Sequence, residues 1–256
     1  MRWYTKKRND KSKFCALQTA LLALCILLSG CAGKTDNGKK QEIEGMQGVI
    51  AGNEETEAVL VESKDGLVRM LTTAVQIRAG GLSGGGVIYE EAKGGLVILT
   101  AGHVMADTKK AAAVTFYDGY EVTCQEFWLF PEVDCAFLMV SYEELPQDWE
   151  TRYLTAEKDR LVFDKIERET GVFLSDPENE NEFGYRFGLL LENWIYVEDF
   201  GQYMMILSGD VEAGMSGCGV FDESGCFLGI LCGENESGEL AVMPYSVVDA
   251  VYTQIK

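Results

Sequence analysis

The feature that most constrains this chain is a long succession of short apolar runs that begins after residue 73. "AVQIRA", "GLVILTA" and "DCAFLMV" are typical of the first half, and "YMMILSG", "CFLGILCG" and "LAVMP" of the second. These runs are rich in β-branched and aromatic residues, and Gly, Asp, Lys or Pro separates them, as closely spaced strands require. With 256 residues, 47% of them hydrophobic, the chain can bury a sizeable core. The pattern predicts an all-β fold of two antiparallel barrels, each of about six strands.

Helices are expected only at the ends of this β region. Residues 61–73 can form a short helix before the first strand, and the last twelve residues repeat apolar side chains at helical spacing, which predicts a C-terminal helix. The polar segment 141–158 is interpreted as a linker between a first barrel over 62–145 and a second over 155–245. The run "RLVFDKI", just after that linker, is assigned to a strand.

The N-terminus has the organisation of a secretion signal. Basic residues precede the apolar run "CALQTALLALCILLSGC", which is short for a membrane-spanning helix and suits a signal peptide. Its last four residues, Leu28-Ser29-Gly30-Cys31, resemble a bacterial lipobox. The resemblance implies cleavage after Gly30 and a diacylglyceryl group on Cys31, so residues 1–30 are a signal peptide and 31–61 a flexible tether. The alternative is an uncleaved transmembrane anchor; either way the remainder is held outside the cytoplasmic membrane.

The charge of the chain excludes one class of partner. The whole sequence carries 22 basic and 41 acidic residues, and residues 1–30 hold six of the former and one of the latter. The remainder therefore has 16 basic and 40 acidic residues, a net charge of −24. Phosphate backbones repel such a body, so no nucleic acid partner is expected.

Eight cysteines are present, and their spacing indicates neither a metal site nor a cofactor. No C-x-x-C motif occurs, which argues against zinc. Five cysteines follow Cys31, and an odd number cannot all pair within one chain. A Cys124–Cys135 disulfide is geometrically allowed because both residues lie on neighbouring strand-like runs. The others are expected to be small buried hydrophobes.

Three stretches contain the residue types of nucleophilic catalysis. "TAGHV" holds His103, the only histidine, whose ordinary pKa near 6.5 suits a general base. "PEVDCAFLMV" holds Asp134, and "GMSGCG" holds Ser216 between glycines. Each has an ordinary alternative: a half-buried polar residue, a turn aspartate and a tight turn. Together they place a base, an orienting acid and a nucleophile in the order His, Asp, Ser, spaced 31 and 82 residues apart.

In this order "TAGHV", "VDCAFL" and "GMSGCGVF" resemble the three catalytic boxes of trypsin-fold serine proteases. The likeness is greatest to the bacterial high-temperature-requirement branch and covers about residues 62–250. It implies two six-stranded barrels with the active site between them, Ser216 as nucleophile, His103 as base and then acid, and Asp134 as the group that orients the imidazole. The backbone N–H groups of Gly214 and Ser216 would form the oxyanion hole.

The resemblance also has departures. Met215 stands where digestive relatives carry an aspartate that pairs with a newly cut N-terminus, which puts that activation route in doubt. Cys218 replaces a glycine, and no sequence is left for the C-terminal peptide-binding domain usual in that branch. Asp210 lies six residues before Ser216, where trypsin has the acid that selects basic side chains; a solvated turn acid is the alternative.

The function expected from these residues is that of a lipid-anchored serine endopeptidase on the extracytoplasmic face of a bacterial membrane. Its substrate is a protein or peptide, and it needs no cofactor or metal. One alternative is a protease-fold lipoprotein that no longer cleaves and binds a peptide or wall component. Another is a purely structural or adhesive surface lipoprotein, which leaves the order of His103, Asp134 and Ser216 unexplained.

Overall fold

Strands dominate the part of the chain that the computed structural model describes, residues 3–4, 65–108, 110–179 and 182–256. The strands of the first sheet are β2 (Ala74–Ala79), β3 (Leu82–Ala92), β4 (Gly95–Ala101), β5 (Ala112–Phe116), β6 (Glu121–Cys124), β7 (Glu126–Phe130) and β8 (Cys135–Ser141). Those of the second are β1 (Trp3–Tyr4), β9 (Gly171–Asn179), β10 (Glu182–Val197), β11 (Gln202–Gly209), β12 (Gly219–Phe221), β13 (Phe227–Asn235) and β14 (Glu239–Pro244). The helices are α1 (65–73), α2 (Gly102–Met105), α3 (Trp149–Arg152), α4 (Arg160–Lys165) and α5 (Tyr245–Tyr252).

The first sheet has the order β6-β5-β2-β3-β4-β8-β7, and every adjacent pair is antiparallel. Its edge strands β6 and β7 follow one another in the chain with only Gln125 between them. The continuous stretch β6–β7 therefore pairs with β5 at one end of the sheet and with β8 at the other, and the sheet curls into a half-barrel.

The second sheet closes on itself. Strands β9 to β14 are arranged β13-β12-β9-β10-β11-β14, and β14 pairs back to β13. The two-residue strand β1 adds to β13, with Trp3 opposite Asn235 and Tyr4 opposite Glu234. The curled first sheet, the closed six-stranded second sheet and the C-terminal helix α5 confirm the all-β fold expected from the sequence. The helix expected near residues 61–73 is also present, over 65–73.

The assignment of "RLVFDKI" to a strand is wrong, because this run forms α4. The side chain of Asp159 caps the helix by accepting a hydrogen bond from the Leu161 N–H at 2.7 Å. Phe163 is buried and packs edge-on against Tyr245, with ring centroids 5.2 Å apart. Leu161 is 64% exposed, although strand alternation would place it on the same face as Phe163. The short apolar run gave too little periodicity to separate the two structures.

The segment 141–158, interpreted as a linker, is an ordered connection. A 3-10 turn at Tyr142–Glu144 and helix α3 lie within it. Tyr142 stacks on Trp149 with ring centroids 4.8 Å apart, and the Tyr153 hydroxyl donates to the carboxylate of Asp118 at 3.2 Å. The stacked pair orders the connection, and the hydrogen bond from Tyr153 holds it against the β5–β6 turn of the first sheet.

All five cysteines after Cys31 are free and buried. The Cys124–Cys135 disulfide considered from the sequence is absent, because the strands place the two residues at different levels. Cys124 lies beside Met139, whose carbonyl accepts a hydrogen bond from the Cys124 thiol at 3.0 Å. Met139 is four residues along β8 from Cys135, or about 13 Å at the usual strand rise.

The signal peptide, Cys31 and the tether lie outside the described residues, apart from Trp3 and Tyr4 in β1. Within the described ranges, no helix has both the length and the apolar character needed to cross a bilayer.

Candidate active site

His103 lies at the end of β4, in the single turn α2. The preceding residue must be glycine, because a Cβ on Gly102 would lie 2.8 Å from the Cys135 nitrogen and 2.9 Å from the Asp134 carbonyl carbon. The Gly102 N–H donates to the Asp134 carbonyl at 2.8 Å. This close approach extends the β4–β8 ladder by one step and places the histidine directly beside the aspartate.

Asp134 connects a 3-10 turn at Pro131–Val133 to β8. Its backbone is left-handed, with φ 53° and ψ 45°, a conformation that aspartate tolerates better than most residues. The carboxylate accepts a hydrogen bond from the His103 backbone N–H at 2.8 Å and contacts the ring Nδ1 at 2.9 and 3.0 Å. The Gln202 amide donates to the Val133 carbonyl at 3.1 Å and supports this loop from the second sheet.

The aspartate determines which imidazole nitrogen is basic. Because Asp134 offers only acceptor oxygens to Nδ1, that nitrogen donates, and the lone pair lies on Nε2. Nε2 is buried and has no hydrogen-bond partner among the described residues. A buried acceptor without a donor is costly, and here it is the atom that a general base would use.

Ser216 lies in the turn between β11 and β12, which four backbone hydrogen bonds hold in place. The N–H groups of Met215, Gly217 and Cys218 donate to Glu212, Leu231 and Met215 respectively, and Leu231 N–H donates to Cys218. Gly214 and Gly217 have φ of +105° and +86°, which only glycine adopts without strain. The turn therefore requires both glycines of "GMSG".

Two N–H groups on buried residues of this turn remain available. Within the described residues, neither the Gly214 nor the Ser216 N–H has a hydrogen-bond acceptor, although both residues are buried. Their neighbours at 215, 217 and 218 are all engaged. Unpaired N–H groups on a serine and on the residue two before it are donors of the kind that an oxyanion requires.

Strand β3 joins the serine turn to the histidine. The Gly85 N–H donates to the Ser216 carbonyl at 2.8 Å. A Cβ on Gly84 would lie 2.6 Å from the Val104 side chain and 2.7 Å from the Ser216 carbonyl oxygen. Strand β3 therefore passes directly between Val104 and Ser216. Gly217 lies against the Thr100 hydroxyl and the Ala101 nitrogen, just before His103.

The three residues predicted from the sequence thus come together at the junction of the two sheets. His103 and Asp134 are hydrogen-bonded, and Ser216 lies on the adjoining turn. No hydrogen bond joins the Ser216 hydroxyl to His103 Nε2. Such bonds are often long or misaligned before a substrate is bound.

The unusual residues of the serine turn are buried. Met215 is 3% exposed, and its sulfur accepts a hydrogen bond from the Glu212 N–H at 3.4 Å. Cys218 is fully buried against Gly85, and burial raises the pKa of its thiol far above the ordinary value. Asp210 is exposed just after β11 and forms no ion pair with another described residue. The described residues contain no cluster of His, Cys, Asp and Glu able to hold a metal.

Sequence reasoning missed several residues that support the site. The buried Thr100 hydroxyl donates to the Gly85 carbonyl at 2.7 Å and joins β4 to β3 behind the histidine. Gln202 and a charged group around Arg186 lie on the second barrel. The "TAGH" and "SGGG" stretches contain Thr100 and Gly85, but their contact depends on sheet register, and no sequence signal points to Gln202 or Arg186.

Comparison with solved structures places the fold. AlgW, described as an HtrA-type protease with a tripeptide, matches with a TM-score of 0.61 and 19% identity over 75% of this chain and 63% of its own. The fold is that of the trypsin-like serine proteases. The Rv3671c protease, in an inactive form, matches at 0.59 and 18% identity over 81% of this chain and 98% of its own. A serine endoprotease from Yersinia pestis matches at 0.58 and 17% identity, over 75% and 65%.

This trypsin-like chain spans about two thirds of the length of AlgW and of the Yersinia pestis enzyme. No family model and no curated protein matches it. At these identities the comparisons show the fold, and the chemistry has to be argued from the residues of the site.

Proposed function

We propose that the protein is a serine endopeptidase that uses Ser216, His103 and Asp134. The observation that carries this proposal is the buried, unpartnered Nε2 of His103, whose ring is oriented by Asp134 beside a serine turn with two unpaired N–H groups. A half-buried structural histidine needs none of these features. The trypsin-like fold and neighbours described with bound peptides support a peptide substrate.

The proposed reaction has two halves. In the first, Ser216 Oγ attacks the peptide carbonyl carbon while Nε2 takes the hydroxyl proton, and the resulting oxyanion accepts hydrogen bonds from the Gly214 and Ser216 N–H groups. Nε2 then gives its proton to the amide nitrogen, the C–N bond breaks and the amine leaves. In the second, water gives a proton to Nε2 while its oxygen attacks the acyl carbon. The C–Oγ bond then breaks, Nε2 returns its proton to Ser216 Oγ, and the carboxylic acid leaves. Asp134 accepts the hydrogen bond from Nδ1 in both halves.

Ser216→Ala in the full chain tests the proposal. The wild type should react with a fluorophosphonate and cleave an unfolded protein, and Ser216→Ala should do neither. Ser237→Ala is the matched control, because Ser237 is an exposed serine on the β13–β14 turn. A well-folded wild type that never labels would contradict the proposal and favour a protease-fold module that binds without cleaving. The absence of a hydrogen bond between Ser216 and His103 is the observation that favours this second function, binding without cleavage.

The proposal includes anchoring through Cys31 on the extracytoplasmic face of a bacterial membrane. The lipobox-like Leu28–Cys31 supports it, and the body of net charge −24 favours no attachment to an anionic lipid surface on its own. Cys31→Ser should abolish incorporation of a labelled fatty acid and prevent cleavage after Gly30, whereas Cys25→Ser should do neither. Lipid labelling that persists in Cys31→Ser, or an uncleaved N-terminus in the wild type, would overturn the assignment.

Substrate choice is proposed to involve Asp210. Its exposed carboxylate follows β11 and precedes the serine turn. It can therefore attract the basic P1 side chain of a substrate that extends to this position. Cleavage of a peptide library by the wild type should favour Lys or Arg at P1, and Asp210→Asn should remove the preference. An unchanged cleavage profile would show that Asp210 is a solvated turn residue without a role in substrate choice.

A further inference from the structure

Three charged side chains connect the β9–β10 hairpin to the start of the serine turn. Arg186, on β10, donates through Nε to Asp176 of β9 at 2.7 Å and through Nη2 to Glu212 at 3.0 Å. The side chain of Asp176 is 4% exposed, that of Arg186 24% and that of Glu212 71%. This group is called the Arg186 bridge below.

The buried end of the bridge fixes the direction of the guanidinium group. An ionised carboxylate as deeply buried as Asp176 requires an opposite charge, so the Nε contact is costly to break. The hydrogen bond from Arg186 to Asp176 raises the pKa of the guanidinium, and the side chain stays charged. Because the group is planar, anchoring Nε also aims Nη2 toward Glu212.

Glu212 is the residue on which the serine turn begins. Its carbonyl accepts from the Met215 N–H at 3.2 Å, and its own N–H donates to the Met215 sulfur at 3.4 Å. Further along the turn, the N–H groups of the buried residues Gly214 and Ser216 have no acceptor among the described residues. The two contacts with Met215 tie Glu212 to the residue that lies between the two donors.

The other end of the turn is held by the neighbour of Asp176 on β9. The buried Ser175 hydroxyl accepts a hydrogen bond from the Gly219 N–H at 3.1 Å. Two adjacent residues of β9 thus hold the two ends of the turn. Ser175 binds Gly219 directly, and Asp176 holds Glu212 through Arg186. The centre of the turn holds the buried, uncharged Met215, which cannot form an ion pair.

From this arrangement we infer that Arg186 is a positioning residue: through Glu212 it holds the Gly214 and Ser216 N–H groups in the orientation that binds an oxyanion. The inference rests on the proposed function. It assigns to an ion pair within the folded chain the task of keeping the turn in one shape, so that pairing with a newly cut N-terminus is not needed.

Glu212→Gln tests the inference with little risk to folding, because the glutamate is exposed and the Asp176–Arg186 pair remains. We expect kcat on a peptide ester to fall about 1.5- to fivefold, as for the loss of one solvent-exposed ion pair, with KM unchanged. Added NaCl should lower kcat of the wild type toward that of the variant and leave the variant unaffected, since salt screens the bridge. A purely structural residue would not produce this salt dependence.

Arg186→Lys supplies the second arm. The ammonium group can still neutralise Asp176 but lacks the planar fork that reaches Glu212. If the two residues act together, Arg186→Lys combined with Glu212→Gln should be no slower than Arg186→Lys alone. Glu167→Gln is the matched control, because Glu167 is an exposed glutamate on the connection before β9 with no ion pair to another described residue. It should leave kcat and its salt dependence unchanged.

Hydrogen exchange of the peptide containing residues 211–218 separates this inference from the proposed function. Exchange should be faster in Glu212→Gln than in the wild type, and this readout does not require activity. An inactive wild type with this exchange difference would overturn the proposed function while supporting the bridge. An active wild type whose Glu212→Gln variant matches it in kcat, salt dependence and exchange would overturn the bridge. Additive losses in the double variant would also overturn it.

Discussion

Replacing Gly102 by alanine should damage both the fold and the site. The new Cβ would lie 2.8 Å from the Cys135 nitrogen, whereas ordinary van der Waals contact begins at 3.4 Å, a shortfall of 3.4 − 2.8 = 0.6 Å. The opposing atoms belong to the backbone at the start of β8, so no side-chain rotation can relieve the contact. The end of β4 has to move away from Asp134, and the 2.8 Å hydrogen bond from Gly102 N–H lengthens.

Two magnitudes follow from this shift. Overpacking of a buried site costs about 1–3 kcal/mol of the free energy of unfolding. A misplacement of about 1 Å near a reaction centre costs about 10²-fold in rate, so a shift of 0.6 Å corresponds to roughly a tenfold loss. We expect Gly102→Ala to unfold at lower denaturant concentration and to label with a fluorophosphonate roughly ten times more slowly.

Gly94→Ala is the matched control. Gly94 lies in the β3–β4 turn without left-handed backbone, and a Cβ there would meet nothing within 4 Å. It should be neutral, or stabilise by about 0.4–1 kcal/mol because the unfolded chain loses freedom. Denaturant unfolding followed by tryptophan fluorescence gives the stability, and the second-order labelling rate gives the activity. If Gly102→Ala matched Gly94→Ala in both, the steric reasoning about this junction would be refuted.

Three further predictions concern charge and protonation. Asp134→Asn should lower kcat by about 10⁴-fold with a small change in stability, because the amide no longer fixes the tautomer of His103; acylation kinetics test this, and a loss below tenfold would argue against an orienting carboxylate. The five described cysteines should not react with a thiol reagent at neutral pH until the protein is denatured, since burial raises the pKa of Cys124 and Cys226 to about 11 and those of the others further; labelling of the folded protein would contradict this. Burial tends to raise the pKa of Glu90, but hydrogen bonds from Lys256 and Lys158 and the charge of Lys158 outweigh it, and the pKa is lowered. A carboxyl whose pKa is lower in the folded state stabilises the fold at pH values above its ordinary pKa, and this stabilisation is lost as the pH falls through the folded-state pKa. Glu90→Gln should therefore destabilise the protein by less than about 1 kcal/mol at pH 7 and not at all in acid. A stability difference that grew on acidification would contradict this sign.

The members of the proposed triad could be predicted because each is recognisable within its own short stretch. His103 is the only histidine, Asp134 interrupts an apolar run, and Ser216 has glycines on both sides. The left-handed φ of Gly214 and Gly217 is likewise a local property of a glycine-rich turn. Such features require no knowledge of which strands are neighbours.

What could not be predicted depends on contacts between distant parts of the chain. Arg186 and Glu212 are 26 residues apart, and nothing in their surroundings marks either as a partner. Gln202 reaches Val133 across 69 residues. The run around Phe163 was misassigned for the opposite reason, because its local pattern fits both a helix and a strand and only the capping contact of Asp159 separates them.

The hydrogen bond from Gly85 to Ser216 spans 131 residues, and it bears on the order in which the molecule matures. Histidine and aspartate meet through the pairing of β4 with β8 within the first sheet, whereas the serine reaches them through the contact of the second barrel with β3. Contacts so far apart in sequence form slowly, because a long loop has to close before they are made. A nascent or half-folded chain would therefore carry a base without a nucleophile and could not attack its neighbours, so completion of the fold would itself control when the proposed activity begins.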